Sequence, residues 1–566
     1  LIDVIYRSDQ LLCSAPTGVG KSISALCACL ADREEGEKIV ILTRTKSQAK
    51  IFLQEVARIA EHVGQPFLTF QLRSKQEICP VFEAGESNYE EFLQLCKLKQ
   101  DCPHRQRFRE NKDLAPLARE IALKKKYLNY QTMIKEILEY GCPYLVLQEL
   151  LRFSDIVVAS YLYLLNPFLR GIFLRRLDKT IGDLLLIVDE SHNLQNLDLM
   201  GKQLSRRTLD LASEELNYDF SNVYSIFDGE DQGLDIMKLM SPDEIRFLLD
   251  RGIEVLERRL LKGKKVSYTF RVASFLDAAV RMRGDDNWMF FRKEGRLYLK
   301  PIFPSELIEP LREAKKLLFM SGTLDPIEGY KILYGMEGAE ELSLPKIFPR
   351  ENCSYFGIKK GLNSSLKSRE EEGEELWKRY AGIITDIAEV TPMTTLAFFP
   401  SYEVMEEVRK HVNAVAEPGD SRGAERFWKK VRNRRKKTVF VVAGGKLSEG
   451  VEYTIEDGGR KESVVKTVIA AGFPFPVPDF ELNIKGMLYE ERFGYGKAFL
   501  LLSVLPMVNK VIQGIGRAIR SERDRAAVVF LDDRLEYLRY FPEEVRHEIQ
   551  ICELEDLKEE VEWFHH

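Results

Sequence analysis

Short, nearly continuous apolar runs punctuate the chain at residues 10–14, 38–42, 155–159, 184–188, 316–320, 395–399, 439–443, 465–469 and 527–531. None alternates strictly between apolar and polar positions, so each predicts a strand buried on both faces, as in parallel sheets covered by helices. The first two show the pattern most plainly. A strand over Gln10–Ser14 leads into the turn Ala15–Gly20, a helix from Lys21 to Leu30 and a second strand over Lys38–Leu42, which is a βαβ unit. The runs fall into two groups, before and after about residue 325, and predict two parallel α/β units. Two stretches interrupt the first group. One, 73–148, carries four cysteines; the other, 204–265, has helical composition and contains Ser241-Pro242-Asp243-Glu244, an N-cap followed by proline at the first helical position. The expected division is therefore 1–72, 149–203 and 266–325 for the first unit, 73–148 and 204–265 for its insertions, and 326–566 for the second unit. No repeat of fixed period is present. No run of about 18 consecutive apolar residues and no leader-like N-terminus is seen, so an intracellular location without a membrane is expected.

Composition supports buried cores: of 566 residues, 45% are hydrophobic and 30% charged, which excludes a disordered or collagen-like chain. The formal charge of -5, from 83 Lys and Arg against 88 Asp and Glu, argues on its face against a polyanion partner. The signs are segregated, however. Acid concentrates in 370–375 and 553–562, while base concentrates in the cysteine segment and in Arg426–Lys437, which begins with Phe427 and Trp428 one residue on. That run reads either as a nucleic-acid contact or as a solvated helix face. Nine cysteines, an odd number at irregular spacing, do not form a disulfide framework. Cys13, Cys27, Cys29, Cys353 and Cys552 read as small buried hydrophobes. Cys79, Cys96, Cys102 and Cys142 share one segment, and four thiolates suit either an iron-sulfur cluster or structural zinc, although the tight pair of cysteines usual for zinc is missing. A metal closing this loop would organise a segment poor in apolar residues.

The candidate chemistry is phosphoryl transfer. Ala15-Pro16-Thr17-Gly18-Val19-Gly20-Lys21-Ser22 fits a phosphate-binding loop with alanine for its first glycine. Its backbone amides and helix N-terminus would cradle phosphates, Lys21 would reach the terminal ones and Ser22 would offer an oxygen to Mg²⁺. Asp189 and Glu190 end a buried strand, where one carboxylate can hold Mg²⁺ and the other can take a proton from the attacking water. Gln513-Gly-Ile-Gly-Arg517-Ala-Ile-Arg520 offers two arginines three apart, on one face if helical, to stabilise transition-state charge. These lie some 500 residues from the loop, which predicts a site built between the two units and a cleft that closes on nucleotide.

The order of these motifs resembles superfamily 2 helicases, and the insertions resemble the XPD family of iron-sulfur DNA helicases. Further matching segments are Thr43–Gln48, Ser321-Gly-Thr-Leu324, Phe399-Pro-Ser-Tyr402 and Gly444–Gly450. The resemblance implies two RecA-like motor domains, with an iron-sulfur insertion and a helical arch-like insertion in the first. It implies Lys21, Ser22, Asp189 and Glu190 as ATPase residues, Gln513, Arg517 and Arg520 as the second domain's contribution, and His192 as the link to DNA movement. It implies a [4Fe-4S] cluster on Cys79, Cys96, Cys102 and Cys142, with ATP and Mg²⁺ as the other cofactors. Arg44, Thr45, Gln48, Arg73, Lys75, Tyr161, Ser401 and Tyr402 would contact DNA, while Phe473 and Phe475 read equally as DNA contacts or packing. The implied activity is 5′ to 3′ unwinding by a monomeric motor on single strands and duplex junctions, in repair such as nucleotide excision repair and with repair-protein partners. A translocase that does not separate strands, or a non-catalytic DNA-binding scaffold, are the alternatives. The acidic box reads Asp-Glu-Ser-His where the family has Asp-Glu-Ala-His, and the upstream glutamine element that reads adenine is not seen before Gln10. His565 and His566 read as a tag remnant without a role.

Overall fold

The computed structural model describes all residues except 17, 83–84, 86, 112, 124–129, 199, 236–239, 346–348, 420–422, 434, 446–452, 458–459 and 518–523. Both expected parallel sheets form. The first has seven strands in the spatial order Glu340–Ser343, Gln10–Ser14, Lys316–Ser321, Leu184–Asp189, Lys38–Thr43, Ile156–Ser160 and Thr69–Gln71. Every pairing in it is parallel. The second also has seven, ordered Val415–Ala416, Lys437–Val442, Thr394–Phe399, Val465–Ala470, Ala526–Phe530, Cys353–Ile358 and Ile549–Cys552, again all parallel.

The continuous apolar runs have a direct cause. In the first sheet Val40, Leu42, Leu186, Val188 and Phe319 face one core, while Ile39, Ile41, Leu185, Ile187 and Leu318 face another on the opposite side. Every position of these three interior strands is buried, so no polar alternation survives.

Two boundaries differ from the sequence reading. The strand Glu340–Ser343 pairs with Gln10–Ser14, so the first unit reaches past 325. It is an edge strand with exposed, acidic positions, which is why hydrophobic pattern alone did not reveal it. The helical insertion also runs beyond 265. Leu209, Phe220 and Leu248 share a core with Val272, Phe275, Phe290 and Leu299. The helix Tyr268–Arg281 and the antiparallel strands Trp288–Lys293 and Arg296–Pro301 therefore pack with it. The helices Pro242–Leu260 and Tyr268–Arg281 touch at Gly252, where a Cβ would lie 2.6 Å from the backbone of Phe270.

A helix over Tyr495–Ile515, with a π-helical turn at Leu500–Val504, is long and apolar enough to cross a membrane by length and composition. It is packed as a core helix instead. Ala498, Leu501 and Leu505 enter the core of the first unit, and Val504, Met507, Val508, Val511 and Ile515 that of the second. Near the chain end, Leu557, Val561 and Phe564 of the helix Leu557–His565 fill the second unit's core. His565 Nε2 lies 3.0 Å from Thr467 Oγ1, and burial, then Arg525 and Lys466, push its pKa down to about 4. His565 thus packs against the second unit's sheet.

Candidate nucleotide site and cysteine pocket

In a parallel sheet every strand ends at the same edge, and ligands bind there. The strand Lys316–Ser321 separates Gln10–Ser14 from Leu184–Asp189, so the phosphate loop, Ser321 and the acidic box meet at one edge. The loop turns through Gly18 and Gly20 at φ 94° and 80°, a left-handed path that glycine takes without strain, and the helix Lys21–Asp32 begins at once. Lys21 Nζ donates to the carbonyls of Ala15 (2.6 Å) and Pro16 (3.3 Å), partners that an incoming phosphate can replace. Ser22 is half-buried beside it, Val19 packs on the core, and Thr17 lies outside the described residues.

Asp189 is buried; burial and the neighbouring Glu190 raise its pKa, against the pull of Lys21. Burial also pushes Glu190 up, yet His192, Lys21 and Ser321 outweigh it and hold Glu190 low. Adjacent carboxylates driven apart in this way can take different roles, and a bound divalent cation would bring Asp189 back to its ionised form.

A line of hydrogen bonds leaves Glu190 and crosses between the units. Ser321 Oγ donates to Glu190 Oε2 at 3.1 Å and lies 2.6 Å from His192 Nδ1; His192 Nε2 lies 2.9 Å from Gln513 Nε2. With the Gln513 amide donating, Nε2 accepts, so His192 carries its proton on Nδ1 and donates to Ser321. Thr323 N also donates to Ser321 Oγ, at 3.1 Å. Ser321 was legible only as part of a matching segment; its place in this line comes from the sheet order. Arg517 is buried just after the helix Leu505–Ile515 ends, whereas Arg520, and with it the expected pairing, lies outside the described residues.

The candidate DNA contacts divide. Arg44, Thr45 and Gln48 sit at the functional edge: Arg44 Nη1 donates to Asn193 Oδ1 at 2.5 Å, and Thr45 with Gln48 forms a capping box for the helix Lys46–Val63. Ser401 caps the helix Tyr402–Arg409 by accepting from Val404 N, and Tyr402 is half-buried against the second core, its pKa raised to about 12 by burial and Glu417. Arg73 stacks over Tyr130 at 4.1 Å, and Lys75 lies 5.5 Å from the centre of the Tyr144 ring. Tyr161 corrects the sequence reading. It is buried, and its hydroxyl donates to the main-chain oxygens of Asp189 at 2.5 Å and Glu190 at 3.1 Å, so it positions the acidic box and offers no face to a base. Tyr161→Phe is expected to leave single-strand affinity unchanged and lower turnover about five-fold, the worth of one hydrogen bond of about 1 kcal/mol; weakened DNA binding with normal turnover would contradict this placement. Phe473 is buried against Phe530 and Phe541, and Phe475 packs on Phe499 and Tyr537. The basic residues Arg432, Arg435 and Lys436 precede the strand Lys437–Val442 and so lie at the sheet edge opposite the nucleotide site. Lys436 Nζ donates there to the Glu389 carbonyl.

Cys79, Cys96, Cys102 and Cys142 line one cavity together with Lys75, His104, Arg105 and Tyr144. Cys102 and Cys142 hold matching positions: each caps a helix whose first residue is proline, at φ -64° and -63°, with its thiol beside the helix N-terminus. Burial pushes Cys142 up while the amides of Leu145 and Tyr144 pull it down. The two helices meet because Cys142 N donates to His104 O at 2.7 Å and because residue 141 is glycine. A Cβ at Gly141 would fall 2.5 Å from Phe108 N. Cys96 lies on the helix Tyr89–Leu98, whose Phe92 and Leu95 pack on Leu256 and Phe270 of the helical insertion. Arg271 grips buried Glu91 of the same helix through two hydrogen bonds of 2.9 and 2.8 Å. Among the described residues no group of three or more His, Cys, Asp or Glu is gathered as for a single metal ion. Four Zn–S bonds of about 2.3 Å would draw the sulfurs within about 4 Å of one another. As a donor set, four thiols bordering one cavity fit a four-thiolate inorganic cluster.

The chain is similar to known proteins over nearly its whole length. A DEAD_2 family model matches residues 41–209 and a helicase C-terminal domain model matches 384–548. The ATP-dependent DNA helicase XPD of Sulfolobus acidocaldarius is 25% identical over 95% of both chains. The XPD subunit of the general transcription and DNA repair factor IIH of Schizosaccharomyces pombe is 22% identical over 92% of this chain and 83% of its own. A solved XPD helicase structure superposes with a TM-score of 0.73 at 22% identity, covering 98% of this chain and 97% of the other. By these matches and its two RecA-like domains, the chain belongs to the XPD family of superfamily 2 helicases and is a DNA-dependent ATPase and helicase.

Proposed function

We propose that the chain moves 5′ to 3′ along single-stranded DNA and parts duplexes at single-strand junctions, as a monomer working with repair proteins inside the cell. The observation that carries the motor reading is the hydrogen-bonded line from Glu190 through Ser321 and His192 to Gln513. Glu190 follows a strand of the first sheet and Gln513 lies on the helix Leu505–Ile515, which packs on the second, so any movement of one unit against the other alters the surroundings of Glu190. In this reading Lys21 grips the terminal phosphates, and Ser22 and Asp189 hold Mg²⁺. Glu190 orients the water and takes its proton, while Arg517, with Arg520, stabilises the charge that develops. Arg44, Thr45 and Gln48 lie along the strand's path, whereas Arg73 and Lys75 border the cysteine segment. The repair role draws support from the S. pombe relative, named as a subunit of a transcription and DNA repair factor.

The pocket of Cys79, Cys96, Cys102 and Cys142 would hold a [4Fe-4S] cluster. When bound, the cluster supplies a covalent cross-link between chain segments that share little apolar core. Lys75 and Arg105 place positive charge beside the thiolates, and the helix N-termini at Cys102 and Cys142 add to it.

Duplexes carrying a single-stranded tail at only one end test the polarity. Strand displacement driven by ATP is expected on the 5′-tailed substrate and not on the 3′-tailed one. Displacement confined to the 3′-tailed duplex would overturn the polarity, and DNA-stimulated hydrolysis without displacement on either would leave a translocase.

A further inference from the structure

Three arginines follow Cys102 closely, and the structure sends them in different directions. Arg107 and Arg109 are exposed on the helix Pro103–Glu110. Arg105 is half-buried and turned inward: its Nη2 donates to the main-chain oxygen of Cys96 and lies 3.3 Å from Cys96 Sγ. It lines the same cavity as the four cysteines. A guanidinium is always charged and offers only donors, so enclosing it beside a neutral thiol is unfavourable, whereas beside a thiolate it gains a charge-assisted hydrogen bond. The guanidinium is therefore placed to hydrogen-bond a sulfur that carries negative charge once it ligates a metal.

We propose that Arg105 is a positioning residue for the cluster: it donates an N–H···S hydrogen bond to the Cys96 thiolate, raises the cluster's reduction potential and protects it from oxidative loss, and it does not contact DNA. The proposal rests on the iron-sulfur reading of the pocket. Hydrogen bonds and positive charge at a ligating sulfur stabilise the more negative, reduced cluster, so their removal lowers the potential. Arg105 also ties the helix that follows Cys102 to the helix bearing Cys96, which holds two ligands in register.

The test compares wild type, Arg105→Leu, Arg105→Gln, Arg105→Lys and Arg107→Gln, each purified without oxygen as the full chain. Iron per chain, the midpoint potential, the rate of bleaching in air and the salt dependence of single-strand binding are measured. The redox couple serves here only as a probe. Arg105→Leu is expected to show a lower potential and faster bleaching with an unchanged salt slope. Arg105→Gln should show a smaller fall, and Arg105→Lys and Arg107→Gln should resemble wild type in cluster properties. Loss of iron from the Leu and Gln variants with retention in the Lys variant also supports the proposal. An iron-replete Leu or Gln variant with wild-type potential and bleaching overturns it, as does a reduced salt slope with an unaltered cluster. A wild-type protein holding zinc or no metal would instead overturn the iron-sulfur reading itself.

Discussion

Glu190→Gln is expected to lower DNA-stimulated ATP turnover by about 10²–10⁴-fold, the usual contribution of a positioned general base, while ATP binding persists. The substitution keeps the side chain's shape, and its amide oxygen still accepts from Ser321. What it removes is the negative charge that Lys21, His192 and Ser321 hold in place and that the attacking water needs as a proton acceptor. Binding of a fluorescent ATP analogue separates the two effects. Wild-type turnover in the variant would end the assignment of Glu190; loss of nucleotide binding alongside turnover would point to a collapsed loop instead. Lys21→Ala should remove turnover by the other route, through loss of phosphate binding.

Gly141→Ala is expected to empty the cysteine pocket. The residue sits at φ +132°, a backbone conformation that costs an L-residue about 1–3 kcal/mol, and its Cβ would overlap the backbone of Phe108 and the carbonyl of His104. Neither neighbour is a flexible side-chain tip. The helix beginning at Pro143 must then withdraw, carrying Cys142 away from Cys102. Iron content per chain should fall far below that of wild type, and the segment should become protease-sensitive. Gly382→Ala is the control: that glycine lies exposed in the helix Glu374–Val390 with nothing within 4 Å of the added atom. It should gain about 0.5–1 kcal/mol of stability from helix propensity. Wild-type iron content in Gly141→Ala would show that the two helices need not touch.

Hydrophobic pattern exposed the interior strands because burial on both faces leaves no other composition possible. It was silent on Glu340–Ser343, whose edge position tolerates acid, and on Thr69–Gln71, too short to register as a run. The phosphate loop and the acidic box were legible because their chemistry is local: glycines, a lysine and two carboxylates must sit at fixed spacing around strand ends. Tyr161 was misread for the opposite reason. An aromatic beside a strand end looks the same in sequence whether it faces a base or supports a neighbouring loop, and only the sheet order, with Lys38–Thr43 alone between Ile156–Ser160 and Leu184–Asp189, shows that its hydroxyl is spent on the acidic box. The basic run shows the same limit: its charge density is plain, its position at the far sheet edge is not.

The sequence by itself determined the two parallel sheets, the phosphate loop, the acidic pair and the set of four cysteines, since each rests on residue types within one short segment. Tertiary structure alone decided that Glu190 reaches Gln513 through Ser321 and His192. It likewise decided that Arg105 turns toward Cys96 while Arg107 faces solvent, and that one apolar helix is shared between two cores. These depend on contacts between residues up to hundreds of positions apart, and such contacts are fixed by the order of strands in a sheet and the meeting of helices, neither of which leaves a local pattern in the chain.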